Sequence, residues 1–570
     1  MQTAVRPVEN SAMPDLNKNS KPPKSGTDFS PFARGIYEQK YAFKDKSGNV
    51  IEDWPDTANR VVKSVLEAVD HHETVESDIL EDYLAAQQFL AGGRYLYASG
   101  RDFHQTQNCL LMRCGDSREG WSELLANASM ALMTGAGIGI DYSDVRPSGS
   151  VITKTGGVAS GPISIMEMVN ECGRHIMQGG SRRSAIWAGL NWKHADIFDF
   201  IDAKNWSEIV RAEKEKDFNF PARLDMTNIS VLLDDEFFEA HDNEDHELHE
   251  HAKKVYHETT KRMLKTAEPG FSIDVGVNAG ETLRNACCEV TSADDSDICN
   301  LGSINLANID SKEEFAEVID KAVLFLLAGT VYSDVPYDKV EETRTKNRRL
   351  GLGLMGIHEW LLKRKYPYAP NDELREWLEI YETESNRAAA KYSKQLGLSK
   401  PVKVRAIAPT GTIGIIAETT TGIEPIYCVA MKRRYLKNGK DWVHEYIVDP
   451  TAKRLIENDG VHPSRIESAH DLAYNVEKRV EFQAFVQQYV DHAISSTINL
   501  PYPITDPDEV EDFKEMLYGY LPALRGVTCY PDGARGGQPL TSVPYEEAIK
   551  HEGVVFESHE DTCVGGVCGA

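Results

Sequence analysis

Asn285, Cys287 and Glu289 place an amide, a thiol and a carboxylate at alternate positions of one short segment. In extended backbone alternate side chains share a face, so the three groups can meet a single substrate, with the thiol between a hydrogen-bonding amide and a general base. The same alternation turns Cys288 to the opposite side. A third thiol, Cys299, follows ten residues after Glu289 and opens the run Cys-Asn-Leu-Gly-Ser-Ile-Asn-Leu. Two more, Cys563 and Cys568, sit in the glycine-containing last eight residues. Chain ends move unless docked, so this pair reads as a thiol–disulfide shuttle. Metal binding by the tail is the alternative, and two ligands do not complete a tetrahedral site.

The elements that must position these groups follow from hydrophobic periodicity. Helical spacing over Val61–Val69 and Ile79–Leu90 gives a small helical lead-in that ends near Gly92 and Gly93. Beyond it, helical runs at Trp121–Met133, Ile163–Met177, about 312–330 and 372–396 alternate with strand-like segments at Gly137–Tyr142, Ile186–Leu190 and Val404–Ala408. That alternation predicts an α/β fold with largely parallel strands. Residues 1–30 read as a disordered leader, 31–93 as a helical N-terminal region, 94–540 as the catalytic domain and 541–570 as a mobile tail.

The 570 residues carry 41% hydrophobic side chains, enough for a large core, and a formal net charge of -27. Such a balance argues against gripping nucleic acid or an anionic membrane through a basic face. A nucleotide ligand would need local anion-binding features. The N-terminus lacks an apolar signal core and no run approaches the length of a membrane span, which points to the cytoplasm. In that reducing compartment the ten cysteines read as buried or catalytic thiols rather than disulfides. Cys114, Cys172, Cys428 and Cys529 are expected to pack as small buried residues. No metal site is expected: the cysteines lack paired CxxC spacing, and the histidine-rich stretch Asp234–His257 lacks HExxH and reads as solvated.

Gly135, Gly137 and Gly139 echo a dinucleotide fingerprint, but they follow a helix and lead into a strand, the reverse of the required order. Their spacing suits close approach of a ligand to backbone. Pro409, Thr410, Gly411, Thr412, Ile413 and Gly414 link a strand-like run to apolar residues that can open a helix. Free amides and two hydroxyls there make an anion cradle, and an ordinary turn accounts for the same residues. Gln178, Gly179, Gly180, Ser181, Arg182 and Arg183 read either as a phosphate- or base-sensing loop or as a surface turn.

Together these segments resemble the catalytic subunit of a ribonucleotide reductase over nearly all of residues 32–570. The carriers are Asn285–Glu289, Cys299 in its Cys-Asn-Leu-Gly-Ser context, Asn108 and Cys109 with Cys114–Ser117, and the terminal CxxxxC. The resemblance implies a ten-stranded α/β barrel with the radical cysteine on a central loop. It implies that Cys287 becomes a thiyl radical that takes hydrogen from C3′ of the ribose, with Glu289 as general base and Asn285 holding the substrate. Cys109 and Cys299 would supply the electrons and close a disulfide, and Cys563 and Cys568 would reopen it at the expense of thioredoxin or glutaredoxin. Asn108, Gly137 and Pro409 to Gly414 would bind the substrate. Asp116, Ser117 and Arg146 would bind a deoxynucleoside triphosphate effector at a homodimer interface, and Gln178 to Arg183 would relay its identity.

The radical source implied is adenosylcobalamin. Gly35–Tyr41, Gly92–Gly100, Pro409–Ile413 and Val527–Gly533 are similar to class II enzymes, and the class I tyrosine pair is reduced to Tyr530. The contacts of the cofactor are not assigned from sequence. The N-terminal region is too short for a full ATP-cone, and diphosphate substrates are expected. The rivals are a class I-like subunit served by a ferritin-like metallosubunit and a non-catalytic thiol-switch or metal-binding protein.

Overall fold

The computed structural model describes residues 29–153, 156–178, 182–217, 220–437, 441–532, 540–552 and 554–557. Its main sheet has nine strands. In chain order these include β1 (Phe89–Ala91), β2 (Cys109–Arg113), β3 (Gly137–Asp141), β4 (Ile186–Asn191), β5 (Thr227–Asp234), β6 (Gly270–Asp274), β7 (Asp297–Asn305) and β8 (Leu350–Met355). Strands β2 to β6 lie side by side in sequence order, and every pair among them is parallel. Parallel neighbours need crossovers, and helices supply them, among them Arg118–Thr134, Pro162–His175 and His249–Thr266. The fold is therefore mixed α/β, as the alternation of helical and strand-like segments predicts.

At one edge β2 meets β7 antiparallel, and β7 continues parallel into β8. At the other edge β6 meets Gly526–Val527 antiparallel. Beyond β8, Arg405 bridges Leu352 and Ile407 bridges Ile494, while Ile498–Leu500 pairs parallel with Cys529–Pro531. The run Val404–Ala408 is thus bridged on both sides without forming a regular ladder. At its start the amides of Val404 and Arg405 donate to the Asp491 carboxylate at 3.0 and 2.7 Å, whereas those of Ala406 and Ile407 donate to the Leu352 and Ala493 carbonyls on either side.

Two large apolar cores flank this framework. One packs β2 to β6 against their helices through residues such as Ile138, Ile140, Trp192 and Phe237. The other packs β7 and β8 against helices Lys312–Tyr332 and Asp372–Gln395, and it also takes Trp54, Val61, Leu80 and Leu84 from N-terminal helices Trp54–Glu67 and Val75–Ala85. The helix expected over Ile79–Leu90 stops at Ala85. Gln87 takes a left-handed φ of 57°, and β1 then pairs with Ile304, Ser303 and Gly302 of β7.

The histidine-rich stretch is not simply solvated. His249 is buried with Nδ1 2.9 Å from the Ala240 carbonyl, and His251 Nε2 lies 2.8 Å from the Trp192 carbonyl. The first ring ties helix His249–Thr266 to helix Asp235–Asp242, and the second ties it to the chain leaving β4. Among the described residues no cluster of three metal-capable side chains occurs, and no helix is long and apolar enough to cross a membrane.

Gly139 in β3 is where the framework admits something into its interior. A Cβ at this position would lie 1.8 Å from the Arg284 carbonyl oxygen, so only glycine lets the segment at Arg284 and Asn285 cross the strand. The close approach foreseen for a ligand along these glycines is, at Gly139, an approach by the chain's own backbone. Gly139→Ala should therefore displace the crossing segment and destabilise the protein by about 1–3 kcal/mol through overpacking, measurable by denaturant unfolding. Unchanged stability and activity would refute this.

Candidate active site

The crossing segment is a hairpin whose stems, Leu283–Arg284 and Thr291–Ser292, pair antiparallel. Its base is fixed by buried charge. Arg349 joins Asp297 at 2.5 Å and Glu281 at 3.1 Å, and Lys403 also pairs with Glu281. These cations hold the Glu281 carboxyl down at about 2 against the opposing effect of burial. The Arg284 guanidinium, fully buried, donates to the Ile273 and Leu283 carbonyls. The far side is tied down as well: Ala493 N donates to the Glu289 carbonyl at 2.8 Å, and Thr291 N donates to His492 Nδ1 at 3.1 Å.

The tip, Asn285 to Glu289, is a turn and not the extended segment expected. Cys288 N donates to the Asn285 carbonyl at 3.0 Å, and Cys288 adopts a left-handed φ of 66°. This breaks the alternation that would have sent Cys288 away from Cys287. Both thiols line one cavity of about 160 Å³, together with Pro409, Ser495, Thr528 and Tyr530. Cys287 exposes its surface to that cavity, yet the surrounding protein still desolvates a thiolate there. Burial first, then the neighbouring Glu289 charge, pushes its pKa well up, so it remains a neutral S–H.

Behind the turn lies a second, closed set of groups. Cys109 in β2 and Cys299 in β7 are direct register partners across an antiparallel pair. Opposed residues in such a ladder stand about 4.5–5.5 Å apart at Cα with side chains on the same face, within the span that a disulfide bridges. Both thiols are buried, sharing a small apolar cluster with Leu111, Leu283 and Val290, and burial raises both pKa values. The Cys109 thiol points toward Glu289 Oε1 at 3.9 Å. Glu289 Oε2 is buried with no hydrogen-bond partner. Burial raises the Glu289 carboxyl to about 7, although hydrogen bonds from its own backbone, Asn285 and Cys109 oppose the rise. Asn285 Oδ1 also accepts from Val290 N at 3.0 Å, which fixes the amide.

The other expected residues divide by location. Asn108 presents its carbonyl to Gly137 N at 2.8 Å, joining the start of β2 to β3. Pro409 reaches the Cys287 cavity, and Thr410, with φ 49°, precedes the short helix Gly411–Ala417, which contains Thr412, Ile413 and Gly414. Arg146 Nε donates to Asp116 at 2.8 Å, and Ser117 caps helix Arg118–Thr134 by accepting from Gly120 N. Gln178 and the Arg182–Arg183 pair belong to a two-stranded hairpin. Gly179, Gly180, Ser181, Cys563 and Cys568 lie outside the described residues. Cys114, Cys428 and Cys529 are buried as expected, whereas Cys172 is half-buried and accepts from Ser129.

Sequence reasoning missed much of the cavity wall: Trp187, Asn228, Ser230 and Glu268. Tyr530 stands in a segment already noted, but nothing local marks Asn228 or Ser230, which reach the cavity only because β5 runs past it. Trp187 Nε1 donates to Ser230 Oγ at 3.0 Å, and Glu268 accepts from Ile229 N at 3.0 Å while pairing with Lys204.

A neutral thiol facing a cavity, backed by a carboxylic acid near neutrality and two opposed thiols that can form a disulfide, defines a thiol-based oxidoreductase. The family model described as "Ribonucleotide reductase, barrel domain" matches residues 107–250, 245–400 and 400–530, and the chain belongs to that family. Among curated relatives, a vitamin B12-dependent ribonucleoside-diphosphate reductase of Mycobacterium tuberculosis (strain CDC 1551 / Oshkosh) is 27% identical, over 94% of this chain and 83% of its own length. One of the same name from Thermoplasma acidophilum is 27% identical, over 84% of this chain and 68% of its own. A Mycobacterium phage D29 protein, provisionally named an adenosylcobalamin-dependent ribonucleoside-triphosphate reductase, is also 27% identical, over 80% and 75%.

Proposed function

We propose that this chain is an adenosylcobalamin-dependent ribonucleotide reductase that converts ribonucleoside diphosphates to deoxyribonucleotides. The observation that carries the reading is the direct opposition of Cys109 and Cys299 behind the turn that bears Cys287. Reduction at C2′ needs two electrons, and a dithiol closing to a disulfide provides them. The names of the relatives support both the cofactor and the diphosphate substrate.

The cavity beside Cys287 fits an adenosyl group by the chemistry of its walls. Trp187 and Tyr530 offer aromatic surface, and Asn228, Ser230 and Glu268 offer partners for a ribose and a base. Those residues would hold it. When bound, the cofactor supplies the radical chemistry through its cobalt–carbon bond. Cys287, kept as a thiol, presents its hydrogen atom at the cavity wall and, as the thiyl, takes hydrogen from C3′. Glu289, with one carboxyl oxygen free in a dry site, removes the 3′-hydroxyl proton while Asn285 steadies the sugar. Cys109 and Cys299 would give up two electrons and two protons and close a disulfide, one proton leaving with the 2′-hydroxyl as water and the other, with the electron pair, completing the C–H bond at C2′. Sealing these steps behind a buried hairpin protects the radical from side reactions.

The substrate phosphates lie at Pro409 to Gly414. A Cβ at Gly411 would meet no protein atom within 4 Å, so the fold does not demand glycine there, whereas a closely approaching phosphate does. The ten-stranded barrel is supported by the order of pairing. Strands β2 to β6 form one half, and β7, β8 and the segments at 404–408, 492–500 and 526–531 follow one another round the other half. Asp116, Ser117 and Arg146 bind the effector, and the hairpin at 177–183 carries its signal. Met130, Met133 and Met168, exposed on packed helices Arg118–Thr134 and Pro162–His175, support a homodimer through this face. The tail pair receives electrons from thioredoxin or glutaredoxin in the cytoplasm.

The testing experiment is anaerobic reduction of the four ribonucleoside diphosphates with dithiothreitol, with and without adenosylcobalamin. Product only with the cofactor is expected, and product without it would overturn the cofactor assignment. Cys563→Ser combined with Cys568→Ser should keep turnover with dithiothreitol and lose it with thioredoxin. Equal loss with both reductants would sink the shuttle role.

A further inference from the structure

The turn at Pro409 to Gly414 is braced by a return segment that nothing in the sequence marked. Helix Gly411–Ala417 begins and ends on left-handed residues, Thr410 and Glu418. The chain then doubles back, so that Thr419 N donates to the Gly414 carbonyl at 3.1 Å and Gly422 N donates to Thr410 Oγ1 at 2.9 Å. The return segment therefore grips the turn at both ends. What grips the return segment is Glu359.

Glu359 lies on helix Ile357–Lys363 and is fully buried. Its carboxylate accepts from Thr419 Oγ1 at 2.7 Å, and the Gly356 amide at the start of the same helix donates to the Thr420 carbonyl at 2.7 Å. The other carboxylate oxygen lies 2.7 Å from Lys363 Nζ and 2.9 Å from Arg454 Nη2. Arg454 reaches on to the Glu418 carbonyl at 3.0 Å, as does the Thr451 hydroxyl, so the C-terminal end of the short helix is held as well. A buried carboxylate is costly unless paired and hydrogen-bonded; of the contacts that offset this one, those from Thr419 and Arg454 converge on the segment behind the turn, whereas Lys363 belongs to the same helix as Glu359 and reaches on to the Ala307 carbonyl.

We propose that Glu359 is a positioning residue for the substrate phosphates: through Thr419 and Arg454 it holds the turn, whose Gly414 amide is taken by the Thr410 carbonyl, in the arrangement that leaves the first-turn amides of Gly411 to Ile413 open to an anion. The proposal rests on the reading of Pro409 to Gly414 as the phosphate site. Glu359 touches no reacting atom. Its loss acts on diphosphate affinity and leaves the rate at saturation near that of the parent enzyme.

The test uses the full-length protein, CDP as probe, cytidine as the phosphate-free control and a deoxynucleoside triphosphate as reporter of the separate effector site. Thr419→Val removes the hydroxyl while sparing the ion pairs, and Glu359→Gln removes the charge while keeping an acceptor. Each is expected to weaken CDP about tenfold, the effect of losing one hydrogen bond to a charged group, with cytidine and effector binding unchanged and Thr419→Ser restoring affinity. Equal weakening of CDP and effector would mean general loss of fold and would overturn the positioning role. Gly411→Ala separates the two levels. If it weakens CDP while Thr419→Val and Glu359→Gln do not, the positioning role fails and the phosphate site stands. If it leaves CDP affinity intact, the phosphate site itself is wrong.

Discussion

Cys287→Ser is expected to reduce deoxyribonucleotide formation to background, below about 10⁻⁴ of the parent rate, which is more than about 5 kcal/mol of barrier. The substitution changes one atom on a cavity wall, leaves the turn hydrogen bond from Cys288 N to Asn285 O in place and preserves side-chain shape. What it removes is the weak S–H bond. A serine O–H is far too strong to be exchanged for a ribose C–H, so hydrogen transfer stops while the site stays intact. Burial already keeps the Cys287 thiol protonated, which argues that the group serves as a hydrogen-atom donor and not as a thiolate nucleophile. Ribonucleotide and effector binding, followed by equilibrium titration, should stay within about twofold of the parent protein. Residual turnover above background would move the radical to another residue, Cys288 being the first to examine.

Glu289→Gln should cost about 10²–10⁴-fold in rate, the range for loss of a general acid–base group. With its carboxyl at about 7, the parent enzyme gains the basic form as pH rises, so its rate should climb through neutrality, and the variant should lose that limb. Stability runs the other way. The folded state holds the proton more tightly than the unfolded chain, from 4.5 to about 7, so the contribution is fully present below pH 4.5 and is lost as pH rises through 7. That loss amounts to about 3 kcal/mol in the parent. Denaturant unfolding at pH 5 and pH 8 should show a drop in the parent that is smaller in Glu289→Gln. An unchanged pH–rate limb in the variant would remove Glu289 from proton transfer.

The chemistry of this protein was legible wherever it rests on local spacing. The amide, thiol and carboxylate at Asn285, Cys287 and Glu289 announce a site, and the alternation of helical and strand-like runs announces parallel strands with crossovers, because both depend on residues within a few positions of each other. Local spacing also misled. Asn285 to Glu289 reads as extended, but the left-handed Cys288 folds it into a turn, since the hairpin reverses between its paired stems Leu283–Arg284 and Thr291–Ser292.

Sequence by itself determined which side chains are available: the thiols, the neighbouring acid, the glycine that admits a crossing backbone and the glycines and threonines of the turn at 409–414. Tertiary structure alone decided which of them meet. Cys109 opposes Cys299 because β2 and β7 pair antiparallel in one register, and Glu289 rises to about 7 because the hairpin buries it. Asn228, Ser230 and Glu268 line the cavity only because β5 and the start of β6 pass it. Register between distant strands and the desolvation of a carboxyl are set by packing across the whole domain, and no window of neighbouring residues contains that information.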